Sequence, residues 1–364
     1  LGLLCPLYKK PSGVWIMAYT GIDDSSAFFQ CTLYTGNGSN RSITNTGHSD
    51  LQPDLTWLKA RSESEYNFLY DVVRGATKGV SSDLTAAEAT YNDGLTAFGS
   101  DGFSLGTSNG INRNGTTYVS WNWKAGTSVS GNTGGSGTAK TYTGSVNTDA
   151  GFSIIRYIGN GSAGHTIPHH LGTTPAWVIA RTISAEKEWD VYHHKNTSAP
   201  ETDYLVLNTT AATADDLGVW NDTAPTSSVV TLGDSSQLNT NDGTCIMYAF
   251  AEKQGFSKFG SYTGNGNANG TFIYTGFKPA MVIFKQTSGG NHWYMFDNKR
   301  NPFNPKNIML KADTNGAEST DLQVDFLSNG IKYVTNDHNN SNGQTYVYMA
   351  FAENPFVTST GIPA

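Results

Sequence analysis

The pentapeptide Tyr-Thr-Gly-Asn-Gly begins at Tyr34 and again at Tyr262, and Tyr-Ile-Gly-Asn-Gly begins at Tyr157. Such recurrence constrains the fold more than any other feature, because a chain that repeats itself builds repeated units. The motif does not recur alone. Between 17 and 19 residues after each tyrosine comes Pro53, Pro175 or Pro279, a residue tolerated where a strand opens because no ladder bond is lost there. Six residues past each proline stands a cation, Lys59, Arg181 or Lys285. An aromatic then returns in a third apolar segment, at Phe68, Trp189 and Trp293.

Each copy closes with a strand after an Asn/Gly turn, from Thr117, Thr244 and Thr345. Alternate positions in it put Val119, Trp121 and Trp123 on one face, matched by Ile246, Tyr248 and Phe250 and by Val347, Met349 and Phe351. Period two with bulky apolar residues on one side predicts a sheet packed on a core. The composition agrees. The chain has 40 glycines, 15% charged and 12% aromatic residues, and Ser, Thr, Asn and Gly compete with helical backbone while aromatics suit a pleated sheet.

The predicted fold is all-β, three tandem β-sandwich or jelly-roll-like domains. Residues 1–30 form an N-terminal segment with a short strand from Trp15. The repeats span 31–126, 151–255 and 256–364. Residues 127–150, rich in Gly, Ser and Thr, read as a flexible linker, so the first unit is expected to sit more independently and the other two to dock rigidly. Helix is expected at most over Leu84–Thr90, for one or two turns. The apolar Leu1–Leu7 lacks the basic flank of a signal peptide and reads as a chain start or a strand completing a neighbour.

A formal charge of −7 with no basic run longer than a pair argues against nucleic acid. No apolar stretch approaches a membrane span. Cys5, Cys31 and Cys245 are odd in number without CxxC spacing, which excludes a disulfide framework and a zinc knuckle. Cys245 lies in an apolar run and reads as core, and a bridge between Cys5 and Cys31 is left open.

At these motifs the sequence resembles the repeat domains of tail-fibre-like virion proteins of marine phages that infect cyanobacteria and other abundant ocean bacteria. The resemblance rests on the YTGNG openings, PDLTWLKARS from Pro53, DVVRGATK from Asp71, FGSDGFSLG from Phe98, YVSWNWKAG from Tyr118, FSKFGSYTGNG from Phe256 and YMAFAENPFV from Tyr348. It covers nearly everything from residue 31 onward. It implies a virion-surface location and a role as a fibre or decoration, with self-association, a homotrimer favoured, other virion proteins as partners, and a host cell-surface glycan as a further partner. It supplies no catalytic residue and no cofactor. The alternatives are a secreted bacterial lectin-like adhesin and a polysaccharide depolymerase.

Histidines are the best place to seek a metal. His165, His169 and His170 precede the Pro175 strand, and His193 and His194 end the strand after it. No Asp or Cys stands at a ligand spacing beside them, so solvated loop histidines are expected. Asp215 with Asp216 and Asp23 with Asp24 are adjacent in polar stretches, which suits turns better than the opposed carboxylates of a glycosidase. No nucleophile elbow, HExxH helix or phosphate loop occurs. Trp15, Trp220 and Tyr333 stand in less regular contexts, where aromatics can stack on sugars. Lys59, Arg181 and Lys285 read as strand-end charges that discourage edge pairing. No catalytic, cofactor-binding or metal residue is assigned.

Overall fold

The computed structural model describes residues 7–9, 15–17, 19–336 and 338–363, with side chains from residue 19 onward. The chain is all-β, and each repeat is a sandwich of one large and one small antiparallel sheet. In all three large sheets the first strand pairs with the last, and the last pairs with the strand near the proline. Unit one orders them as Phe29–Thr35, Thr117–Trp123, Leu55–Ala60, Phe68–Asp71 and Lys78–Ser81. Unit two follows with Phe152–Ile158, Thr244–Phe250, Trp177–Thr182, Asp190–His193 and Asp203–Val206. Unit three follows with Ser257–Thr263, Thr345–Pro355, Phe277–Gln286, Tyr294–Asp297 and Leu310–Lys311.

A three-stranded sheet covers the outer face of each large one. Unit one uses Arg41–Thr44, Gly102–Leu105 and Leu95–Gly99, and unit three uses Phe272–Tyr274, Gly330–Tyr333 and Val324–Leu327. Unit two uses Gly134–Gly135, His165–Pro168 and Val229–Leu232. The proline pattern needs one refinement. Pro53 and Pro175 precede their strands by two residues, whereas Pro279 lies inside its strand where the register shifts, a position where the missing N–H breaks no regular ladder.

The inner faces of the three large sheets meet in one apolar core that contains residues of every unit. Trp123, Phe250 and Phe351 occupy the same register position in their final strands, and their rings close a triangle with centroid separations of 6.3, 5.5 and 5.8 Å. This triangle marks a pseudo-threefold axis. Val119, Trp121, Ile246, Tyr248, Val347 and Met349 line the same core, so the period-two pattern of the final strands faces the axis. Each aromatic side chain hides roughly 150–250 Å², and burial on this scale favours closure of the three units on one another.

Unit one is therefore not independently placed. The expected linker is also structured: Thr127–Asn132 and Thr141–Asn147 pair with each other, and the second pairs with Phe152–Ile158, extending the unit-two sheet by two strands. The Gly/Ser/Thr content reflects an outer edge with little core to face, since Thr127–Asn132 is largely exposed. Leu84–Thr90 forms no helix. Its only regular structure is the two-residue strand Ala89–Thr90, and its carbonyls turn to a cation of unit two. Trp15–Met17 is a strand, paired with Leu7–Lys9. Among the described residues no helix is long and apolar enough to cross a membrane.

Candidate functional site: the seams of the ring

The recurring pentapeptide is an architectural lock. In each unit a fully buried asparagine far along the chain, Asn112, Asn239 or Asn340, accepts from the backbone N–H of the motif's own asparagine at 3.0–3.1 Å. Its amide donates to two further backbone carbonyls. The motif tyrosine hydroxyl donates to the carbonyl just before that asparagine, at 2.6–2.8 Å. A Cβ on the first glycine would lie 2.2–2.3 Å from a backbone oxygen. Only glycine permits that approach. The second glycine has a φ of 62–68°, the left-handed turn conformation.

Three kinds of contact join the units, and each runs around the ring in one direction. The cations six residues after the prolines are all buried and reach a preceding unit. Lys59 donates to the Asn315 carbonyl of unit three, Arg181 to the carbonyls of Leu84, Thr85 and Ala86 of unit one, and Lys285 to the Thr210 carbonyl of unit two. They are seam ties rather than edge charges. Burial pushes Lys59 and Lys285 down to about 8 and Arg181 down to about 10, so all three remain cationic near neutral pH.

A second donor stands one residue before the neighbouring strand. Trp189 Nε1 donates to the Ser81 carbonyl of unit one at 2.7 Å, and Trp293 Nε1 to the Val206 carbonyl of unit two at 2.9 Å. The counterpart in unit one is Asn67, whose amide donates to the carbonyls of Lys311 and Thr314. Phe68 is one position away, on the opposite face of its strand, and packs in the unit's own sandwich core.

The third contact comes from the corner that follows each of these strands. Asp71 accepts from Arg74 and from the Tyr248 hydroxyl of unit two. Asp297 accepts from Arg300 and from Trp121 Nε1 of unit one. At the same register unit two carries His193, bonded to the Tyr348 carbonyl of unit three, and Asn196 where the other corners have arginine. Burial drives His193 down to about 3, so it is neutral.

Beside each corner lies a cleft. The cleft between units three and one is lined by Asp24, His48, Lys299 and Glu353, with Cys31 at its base. The cleft between units one and two is bounded by Val72, Val73 and the added edge strands. The cleft between units two and three is lined mostly by hydroxyls.

The five histidines do not converge. His165 is fully buried between Asn239 and Thr133, His169 is buried and pushed down to about 4, and His170 meets the Tyr142 hydroxyl. His194 bonds the Phe259 carbonyl across the seam between units two and three. Three of the five are buried structural partners and His194 is half-buried, in place of the solvated loop residues expected, while His170 is the exposed loop residue the sequence predicts. Among the described residues no group of His, Cys, Asp and Glu is placed to hold a metal ion. Asp216 caps the short helix Leu217–Trp220 beside an exposed Asp215, and Asp24 caps a turn while Asp23 accepts from Ser359. Neither pair opposes across a groove. Trp220 and Tyr333 are core residues, 1% and 0% exposed, and the Trp15 side chain lies outside the described residues. Cys31 and Cys245 are buried free thiols, and Cys5 lies outside the described residues.

The fold and its seams define a closed ring of three β-sandwiches in one chain. A family model described as Domain of unknown function (DUF7483) matches residues 24–355, a span that takes in all three units, and the chain belongs to that family. No curated protein and no solved structure matches it.

Proposed function

We propose that this chain is a structural protein of the phage particle surface, a tail fibre or a capsid decoration or fibre, serving host attachment or assembly of the particle surface. The observation that supports it best is ring closure. Every seam is held by a buried cation, a buried side-chain donor and a corner contact around one aromatic triangle, which suits a rigid element outside a particle. The resemblance of the repeats to tail-fibre-like proteins points the same way. The role is carried by packing and adhesion without catalysis, with other virion proteins and a host glycan as partners. The internal threefold supplies within one chain the arrangement expected of a homotrimer, so self-association joins whole rings.

The test is to label intact particles with an antibody against this chain and image them. Label on tail or capsid supports the reading. Chain found only in bacterial secretions favours a lectin-like adhesin, a second reading that the hydroxyl-lined cleft supports. New reducing ends after incubation with host polysaccharide would favour a depolymerase.

A further inference from the structure

The three seams are equivalent in register and unequal in chemistry, so each serves as a control for the others. In units one and three the corner ends in an arginine with no side-chain exposure, ion-paired to the aspartate three residues before it. Its guanidinium also donates to a backbone carbonyl beneath, that of Leu69 or Met295. In unit two the same position is Asn196, 6% exposed. Its Oδ1 accepts from Thr213 Oγ1 at 2.7 Å, and its Nδ2 has no partner. That nitrogen is itself closed to solvent, so what sets this corner apart is the absence of a guanidinium.

Asn196 lines a cleft of about 460 Å³ between units two and three. Hydroxyls of Thr213, Ser261, Thr263, Thr287, Ser288 and Thr345 stand around it, and Lys195 at the rim is its sole charged lining residue. The equivalent cleft between units three and one carries several ionisable groups instead. The one between units one and two is bounded by the strands that extend the unit-two sheet. Unit three has no such added strands, so its first strand borders the cleft directly.

We infer that the cleft between units two and three is a saccharide site, taking a neutral pyranose unit of a longer glycan. Clustered hydroxyls, with Ser261 and Thr263 exposed among them, supply donors and acceptors that match vicinal sugar hydroxyls, and a volume within the usual range for small-ligand sites accommodates a sugar ring. The scarcity of charge argues against an anionic ligand. The inference goes beyond the particle-surface reading: a glycan bound by a chain absent from particles would leave this site standing and that reading fallen.

The test is saturation-transfer NMR on the full chain with cellopentaose, laminaripentaose, maltopentaose and chitopentaose as probes, followed by affinity measurement for any that bind. Binding of at least one is expected. Asn196→Arg, which restores the side chain found in the other corners, and Ser261→Trp, which blocks the cleft from an exposed position, should each weaken binding at least about tenfold. Lys299→Ala, in the cleft between units three and one, should leave it unchanged. If Asn196→Arg fails to fold, Ser261→Trp decides alone. Absence of binding to all four probes, binding that persists in either folded variant, or binding lost instead in Phe272→Ala, which removes an exposed aromatic elsewhere on unit three, overturns the inference.

Discussion

At two of the three seams the corner is an ion pair sunk in the protein; at the third it is a neutral histidine and an asparagine. The two charged corners meet donors from the next unit, Tyr248 on Asp71 and Trp121 on Asp297. The neutral corner meets Met349 at the equivalent position, a side chain with no hydrogen to give, and bonds the adjacent backbone carbonyl instead. The chemistry of a corner thus follows what the facing strand offers. A buried carboxylate needs donors on every side, and where the facing residue supplies none, the carboxylate and its cation are both replaced.

The largest expected effect breaks the charged corners. Arg74→Ala or Arg300→Ala leaves Asp71 or Asp297 short of its cation in the core and should cost about 3–5 kcal/mol in chemical denaturation. Asn196→Ala should cost under about 1 kcal/mol, since its amide has one partner and one unmet donor. Equal losses at all three corners would show that the charged and neutral seams are energetically alike. Next in size, Tyr248→Phe keeps the ring and removes one donor to Asp71, for about 1–3 kcal/mol, whereas Met349→Leu should be near neutral.

Acid should act on the neutral seam through His193. Folded, it stays neutral down to about 3, while in the unfolded chain it takes up a proton near pH 6.5. Protons therefore favour the unfolded state, and the stability tied to His193 is full above that pH and is lost as pH falls toward 3. A His193→Gln variant should show a shallower fall in urea midpoint between pH 7 and 5. Asp190, buried in unit two with both oxygens unpartnered, is raised by burial and runs the other way. Its cost grows as pH rises from 4, so Asp190→Asn should raise Tm at pH 7 more than at pH 4. The smallest effect belongs to Ser261→Ala, on an exposed position beside the cleft, within about 0.5 kcal/mol.

The repeat, the strand class and the axis-facing residues were legible because they obey local periods: Val119, Trp121 and Trp123 announce their face by alternation alone. Ring closure was not, because the ties join residues of different identity. Asn67, Trp189 and Trp293 share one position, and only Phe68, a residue out of register, keeps the aromatic pattern in unit one. The purpose of the pentapeptide was hidden for a different reason, since Asn112, Asn239 and Asn340 hold it from 75–79 positions away. The strands at 127–147 were missed because an exposed edge strand and a flexible tether favour the same small polar residues. The cleft at Asn196 left its only trace as an arginine missing from one copy of three.

The aromatic triangle at the axis carries a consequence for how such a molecule can change. Trp123, Phe250 and Phe351 are one indole and two phenyl rings at one structural position. In an assembly of identical subunits any substitution there would be made three times at once, so an indole beside two phenyl rings could not be tried. Encoding the ring in one reading frame frees each third to drift separately, and a binding surface can specialise on one flank while the other two keep the object rigid.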